Sequence, residues 1–184
     1  MSLKYAILGL LSVKSQTGYE IKANFSKSIR YLWNADQTQI YRTLSEIANQ
    51  GLATVKIIQQ EGPNKKVYEL TKAGHEDLKK WLAGAVKPKD QRNAVLLQIF
   101  FSGQIADEDI LKNLKRMREK IKAGIDALSS LESSSDLFNP TTTSPRVNFF
   151  FKATLELGKR DSLMNLEWID EVIEKLENGD VPGV

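Results

Sequence analysis

The chain contains no cysteine, which excludes disulfides and thiolate metal sites and fits a reducing cytosolic setting. Its single histidine, His75, lies among Glu76, Asp77 and Lys79 at the start of a candidate helix, where a solvated or capping role outweighs catalysis. One histidine makes no metal cluster and no Ser-His-Asp arrangement, and a glycine-rich phosphate loop is also missing. Adjacent carboxylates such as Asp107, Glu108 and Asp109 fit a helix N-terminus, where the helix dipole favours negative charge. These absences argue against an enzyme and imply no cofactor. Long apolar runs are absent too. Tyr5 to Leu11 is too short to span a bilayer, and it lacks the basic flank and small-residue cleavage pattern of a signal peptide. The expectation is a cytoplasmic protein with no membrane partner.

What is present is a soluble globular composition over 184 residues, 41% hydrophobic and 27% charged, with a net charge of +3. That charge is uneven. Residues 1–86 carry 12 Lys and Arg against 7 Asp and Glu, for +5, whereas residues 87–184 carry 14 against 16, for −2. A positive excess in the first half suits a phosphate backbone; the plainer reading is a small basic domain.

The most informative stretch lies in that basic half, from Asp36 to Leu70. Asp36 with Gln39 three residues on has capping-box spacing, and Ile40, Leu44, Ile47 and Ala48 follow at helical spacing as one apolar stripe. The opposite face and the N-terminal end carry Gln37, Thr38, Gln39, Tyr41, Arg42 and Ser45, whose hydrogen-bonding groups can reach base edges or phosphates. Gly51 supplies a left-handed stop. Leu52 to Gln60 and Lys66 to Leu70 alternate as strands, joined by the turn Glu61-Gly62-Pro63-Asn64-Lys65. A helix that runs into a hairpin with a basic tip is the pattern of a winged helix. The plainer reading of the same helix is a solvated polar face, and lysines at a hairpin tip also serve solubility.

Ahead of this stretch, Leu3 to Val13 is apolar around most of its circumference and should be buried on several sides. Ser15-Gln16-Thr17-Gly18 breaks it, and Thr17 with Glu20 repeats the capping-box spacing. A second helix is expected from about Gly18 toward Ile29, with Tyr19, Ile21 and Phe25 inward, and Tyr31 to Ala35 as a turn. Thr71 caps a helix Lys72 to Leu82 that packs through Leu78, Trp81 and Leu82. The charged, proline-bearing Lys87-Pro88-Lys89-Asp90 marks the boundary between domains 1–86 and 87–184.

Beyond the boundary the pattern is helical. Ala94 to Phe101 is strongly apolar and expected to be buried. Leu111, Leu114, Arg118, Ile121, Ile125 and Leu128 form a coiled-coil-like seam with one charged interruption. The polar loop Ser133 to Pro145 ends that helix. The last helix, Val147 to Leu176, has apolar residues on more than one face and is expected to lie between two others. The apolar surplus argues for a homodimer, with a compact monomeric bundle as the alternative.

Three fragments resemble the PadR family of bacterial transcriptional regulators in order and spacing. They are Ile7-Leu8-Gly9-Leu10-Leu11 with Thr17-Gly18-Tyr19-Glu20-Ile21, Gln39-Ile40-Tyr41-Arg42-Thr43-Leu44 with Gln50-Gly51-Leu52, and Tyr68-Glu69-Leu70-Thr71-Lys72-Ala73-Gly74. Leu157-Gly158 and Trp168-Ile169-Asp170 resemble the helical C-terminal domain of the longer subgroup shared with virulence-activator-type regulators; Ser133 to Pro145 has no counterpart motif.

The resemblance implies a mainly α fold with a small β-hairpin wing: an N-terminal winged helix-turn-helix plus a C-terminal helical dimerisation domain. It implies a dimeric repressor of double-stranded DNA, with Tyr19, Gln37, Thr38, Gln39, Tyr41, Arg42, Asn64, Lys65 and Lys66 as contact residues. Tyr19 and Tyr41 each have two readings, ring packing or a phosphate contact. A small aromatic or hydrophobic effector is implied as well; Trp81, Phe100, Phe101, Phe149, Phe150 and Trp168 are the aromatic candidates, though any one alone reads as core. The rival functions are transcriptional activation and a winged-helix protein-interaction module without DNA.

Overall fold

An apolar helix with no polar face needs cover on several sides, and α1 (Ser2–Val13) obtains it by burying Ile7, Leu8, Leu10 and Leu11 against its neighbours. The computed structural model describes residues 2–25, 35–59, 64–85, 93–133 and 144–182. The chain falls into two compact units, Met1–Lys87 and Pro88–Val184. It is mainly helical, with one small antiparallel sheet.

In the first unit, α2 (Gly18–Asn24) opens with the expected capping box. The Thr17 N–H donates to Glu20 Oε2 at 2.7 Å, and the Glu20 N–H donates to Thr17 Oγ1 at 3.2 Å. Ile21 and Phe25 point inward as expected, but Tyr19 is 73% exposed, which corrects its inward placement. Gly18 and Ile21 occupy the buried face of α2, and Tyr19 is turned away from it.

Helix α3 (Gln37–Asn49) buries Ile40, Leu44 and Ile47, with Ala48 half-buried. Gly51 has φ of 69°, and its N–H donates to Ala48 O while the Leu52 N–H donates to Ile47 O, both at 3.0 Å. This pairing satisfies the last carbonyls and turns the chain into the sheet.

Strands β2 (Ala53–Ile58) and β3 (Lys65–Leu70) pair from Ala53 opposite Leu70 to Ile58 opposite Lys65. A third strand is not legible in the sequence. The segment that reads as a break contains β1 (Gln16–Thr17), which pairs with the other edge of β3, Gln16 opposite Tyr68 and Thr17 opposite Val67. Gln16 is buried to 2% exposure yet satisfied: its Nε2 donates to Leu10 O at 2.8 Å, and its Oε1 accepts from Asn24 Nδ2 at 2.5 Å. One side chain thus ties the end of α1 to α2.

Thr71 caps α4 (Lys72–Ala83), accepting from the Gly74 N–H at 3.0 Å and donating to Gly51 O at 2.8 Å. A Cβ on Gly74 would fall 2.1 Å from Leu52 O, so the close approach of α4 to the end of α3 demands glycine there. Leu78 is buried and Trp81 stacks on Tyr5, ring centroids 4.6 Å apart. Leu82 instead faces outward, a correction to its expected packing role. Ile29, residues 31–34 of the expected turn, the Glu61-Gly62-Pro63 tip and Lys87-Pro88-Lys89-Asp90 lie outside the described residues.

In the second unit, α6 (Asp107–Ser133) and α7 (Pro145–Glu177) run antiparallel, with Leu114, Ile169, Ile173 and Leu176 as their core. Leu128 packs over Gly158 toward the other end. Arg118, the charged interruption in the seam, reaches Asp170 at 3.4 Å. Helix α7 begins earlier than expected, because Ser144 accepts from the Val147 N–H and Pro145 takes the first turn, where its missing N–H costs nothing. Residues 134–143 of the intervening loop lie outside the described residues.

Two expectations of burial fail here. Helix α5 (Ala94–Phe100) exposes Val95, Leu96, Leu97 and Phe100, and its main neighbour among the described residues is the short turn Ser102–Gln104. Helix α7 is buried only along the stripe that meets α6, leaving Phe149, Phe150, Leu157, Leu163 and Met164 exposed. A many-sided apolar helix needs more than one neighbour, and the described residues of this unit supply α7 with one principal partner.

Candidate nucleic-acid interface

The apolar stripe of α3 fixes which side of the helix is left for a partner. With Ile40, Leu44 and Ile47 turned into the core, Gln37, Thr38, Gln39, Arg42 and Ser45 are all exposed on the other side. The N-terminus is held by a complete capping box: the Gln39 N–H donates to Asp36 Oδ1 at 2.8 Å, and the Asp36 N–H donates to Gln39 Oε1 at 3.2 Å. Gln39 therefore has a structural duty in addition to any contact it makes.

Tyr41 resolves into a packed ring with an accessible edge. It is 38% exposed, and a Cβ built on Gly18 would lie 2.7 Å from its Cε1. The ring thus rests on the bare backbone at the start of α2. Burial raises the pKa of the Tyr68 phenol above its usual value, with Tyr41 adding to the shift.

At the sheet, Asn64, Lys65 and Lys66 are exposed, as are Ile57 and Ile58 opposite the two lysines. Glu20, exposed on the first turn of α2, lies within the field of Lys65 on the wing. Its carboxyl lies below the usual glutamate range, chiefly through its hydrogen bonds to Thr17, with Lys14 and Lys65 contributing positive potential. Lys56 and Glu69 pair across the strands at 2.6 Å. Exposed cations are worth little as isolated pairs but add up as a field toward a polyanion.

The first unit thus contains all nine residues singled out from the sequence, and each has an exposed side chain. Three others matter that sequence reasoning passed over. Lys22 Nζ donates to Gln37 Oε1 at 2.5 Å, linking α2 to the first residue of α3. Glu46 accepts from Arg42 Nε at 3.0 Å, an i,i+4 pair whose spacing was available in the sequence. Gly18 makes room for Tyr41, which no local pattern announces.

Of the aromatic candidates for an effector cavity, Phe100, Phe101, Phe149, Phe150 and Trp168 are exposed, so the core reading of each of these fails. No cluster of three or more potential metal ligands occurs among the described residues, and no described helix is long and apolar enough to cross a membrane.

Comparison with known proteins accounts for both units. A model of the transcriptional regulator PadR-like family matches residues 7–80, and a model of the virulence activator alpha C-terminal region matches residues 91–177. A probable transcriptional regulator of Mycobacterium tuberculosis is 38% identical over 89 residues, 48% of this chain and 47% of that protein, so the match spans about half of each. The negative transcriptional regulator PadR of Bacillus subtilis is 26% identical over 179 residues, covering 95% of this chain and 97% of that one. The crystal structure of that PadR in complex with operator DNA has a TM-score of 0.81 at 25% identity, covering 96% of this chain and 99% of the other. The Vibrio cholerae virulence activator AphA has a TM-score of 0.72 at 26% identity, covering 96% and 98%. These relatives are transcriptional regulators and not enzymes. From the winged helix with its exposed polar helix face, the helical hairpin behind it and both family matches, it follows that the chain belongs to the PadR-like family of transcriptional regulators, in the subgroup with a virulence-activator-like helical C-terminal domain.

Proposed function

We propose that this regulator is a homodimeric, sequence-specific repressor in which residues 1–86 read double-stranded DNA and residues 87–184 hold the two subunits together in the cytoplasm. The observation that carries the reading is the polar face of α3: Gln37, Thr38, Gln39 and Arg42 are exposed at the helix N-terminus, where helix-turn-helix proteins meet base edges. Tyr19 and Tyr41 are assigned to phosphates, and Asn64, Lys65 and Lys66 to the backbone or minor groove beside the reading helix. The similarity to a PadR bound to its operator supports the same assignment.

The dimer rests on the apolar residues that the second unit leaves in water. Phe100 is 79% exposed and Phe149 64%, with Leu96, Leu97, Leu157 and Met164 also open. Covering one such side chain is worth about 1.5–3 kcal/mol. A second copy related by a two-fold axis would cover them symmetrically. Two winged helices so related would bind an inverted repeat with half-site centres roughly 10 base pairs, or a multiple, apart.

The Bacillus subtilis PadR is also known in complex with p-coumaric acid, with a TM-score of 0.76 to this chain at 23% identity. A small aromatic or hydrophobic effector that releases the DNA is part of the proposal. The test is fluorescence anisotropy of the full chain against DNA from its own promoter region, with sedimentation at micromolar concentration. Salt-sensitive, sequence-selective binding by a dimer is expected. Salt-insensitive binding or none would favour a protein-interaction module, and monomer alone would remove the paired model. A promoter reporter gives the sign, since loss of a repressor raises expression and loss of an activator lowers it.

A further inference from the structure

Given DNA reading by α3, which this inference presupposes, the hydrogen bonds around that helix specify what kind of base edge it can read. A glutamine amide has an accepting carbonyl and a donating NH2, and it reads adenine by using both, accepting from N6 and donating to N7. On α3 both glutamine carbonyls are already engaged within the protein. Gln37 Oε1 accepts from Lys22 Nζ at 2.5 Å, and because an ammonium group has donors only, the oxygen must be the atom turned toward it. Gln39 Oε1 accepts from the Asp36 N–H at 3.2 Å as part of the helix cap. The Glu46 carboxylate takes the Arg42 Nε–H at 3.0 Å through Oε1. Left to offer outward are the amide NH2 groups of Gln37 and Gln39 and the rest of the Arg42 guanidinium, a side chain that is 80% exposed. All are donors. Thr38 and Ser45 add shorter hydroxyls, and Ser45 Oγ donates back to Tyr41 O at 3.2 Å.

We propose that the long side chains of α3 form a donor-dominated reading face selective for guanine, with Lys22 as the positioning residue that turns the Gln37 amide. In the major groove guanine presents two adjacent acceptors, N7 and O6, and no donor, whereas adenine and cytosine each place an amino group there and thymine offers the single acceptor O4 beside its methyl group. A donor face set against such an amino group leaves a desolvated donor without a partner, which is penalised more than a good contact is rewarded. Lys22 would act through Gln37 and touch no base itself.

The test starts from the full chain and a random double-stranded DNA library, and the enriched half-site is then remade with base analogues. Replacing a contacted guanine by 7-deazaguanine removes the N7 acceptor and should weaken binding about 5- to 150-fold. Inosine, which keeps N7 and O6, should bind nearly as the parent does, and so should purine in place of adenine, which lacks the N6 amino group. Lys22→Met should relax the guanine preference at one base pair of each half-site, and Lys22→Arg should restore it. A loss with purine in place of adenine, or none with 7-deazaguanine, overturns the donor-dominated face while leaving selective DNA binding intact. An unchanged guanine preference in Lys22→Met overturns the role of Lys22. If the library yields no enriched sequence at all, the DNA reading fails and this inference goes with it.

Discussion

Substituting Gly18 by alanine probes the contact that seats α3 on its neighbour α2. The new Cβ would lie 2.7 Å from Tyr41 Cε1 and 3.4 Å from its Cδ1 and Cζ, against an ordinary limit near 3.4 Å, so the ring edge must retreat by about 0.7 Å. The obstacle is one edge of a side chain and not backbone, and the ring has solvent on its far side, so χ rotation can absorb the shift at about 0.5–1.5 kcal/mol. Against this, alanine narrows the unfolded ensemble and returns about 0.4–1 kcal/mol. Gly18→Ala should therefore change folding stability by no more than about 1 kcal/mol, while moving the Tyr41 ring away from its position against the start of α2. Urea denaturation of Gly18→Ala, Tyr41→Ala and the double variant measures the coupling. With the ring gone, the penalty should vanish and the alanine should become neutral or stabilising. DNA affinity of the single variant, read by anisotropy, should fall about 5- to 10-fold even though the protein is fully folded. An equal destabilisation by Gly18→Ala with and without the Tyr41 ring would refute the argument, because the cost would then have another source.

Changing Lys65 and Lys66 together to alanine should weaken binding to all sequences and flatten the dependence of log affinity on log salt by roughly one to two units; an unchanged slope removes the wing from the contact list. Ile169 has no exposed surface in the α6–α7 core, so Ile169→Ala should cost about 2–5 kcal/mol by chemical denaturation; a loss well below that range would mean the seam repacks freely. Glu20 has its carboxyl held below the usual range by Thr17, so the folded state favours the charged form. Its contribution should be complete above the ordinary glutamate range and disappear as pH falls through the lowered folded value. Wild type and Glu20→Gln should accordingly converge in stability on acidification, and a constant gap across that window would show that the charge is not involved.

The helix starts at Thr17, Asp36 and Thr71, the stop at Gly51 and the buried stripe of α3 are all determined by the sequence itself. Each depends on side chains and backbone within a few residues, so spacing is enough to read them. The family fragments sit on these local devices, which is why the winged helix is legible in the sequence. Tertiary structure alone decided the rest. Two residues at Gln16 and Thr17 become a strand only because β3 arrives beside them, and too few residues take part to leave a pattern. Tyr19 and Tyr41 look alike in the sequence, yet one stands in solvent and the other lies on Gly18, a choice made by the packing of α2 against α3. For α5 and α7 the sequence records how much apolar surface exists but not what covers it, since burial belongs to the neighbour as much as to the helix. The bond from Lys22 to Gln37 spans fifteen positions and follows no periodicity; only the folded chain brings the ammonium to the amide and so decides which end of Gln37 faces a base.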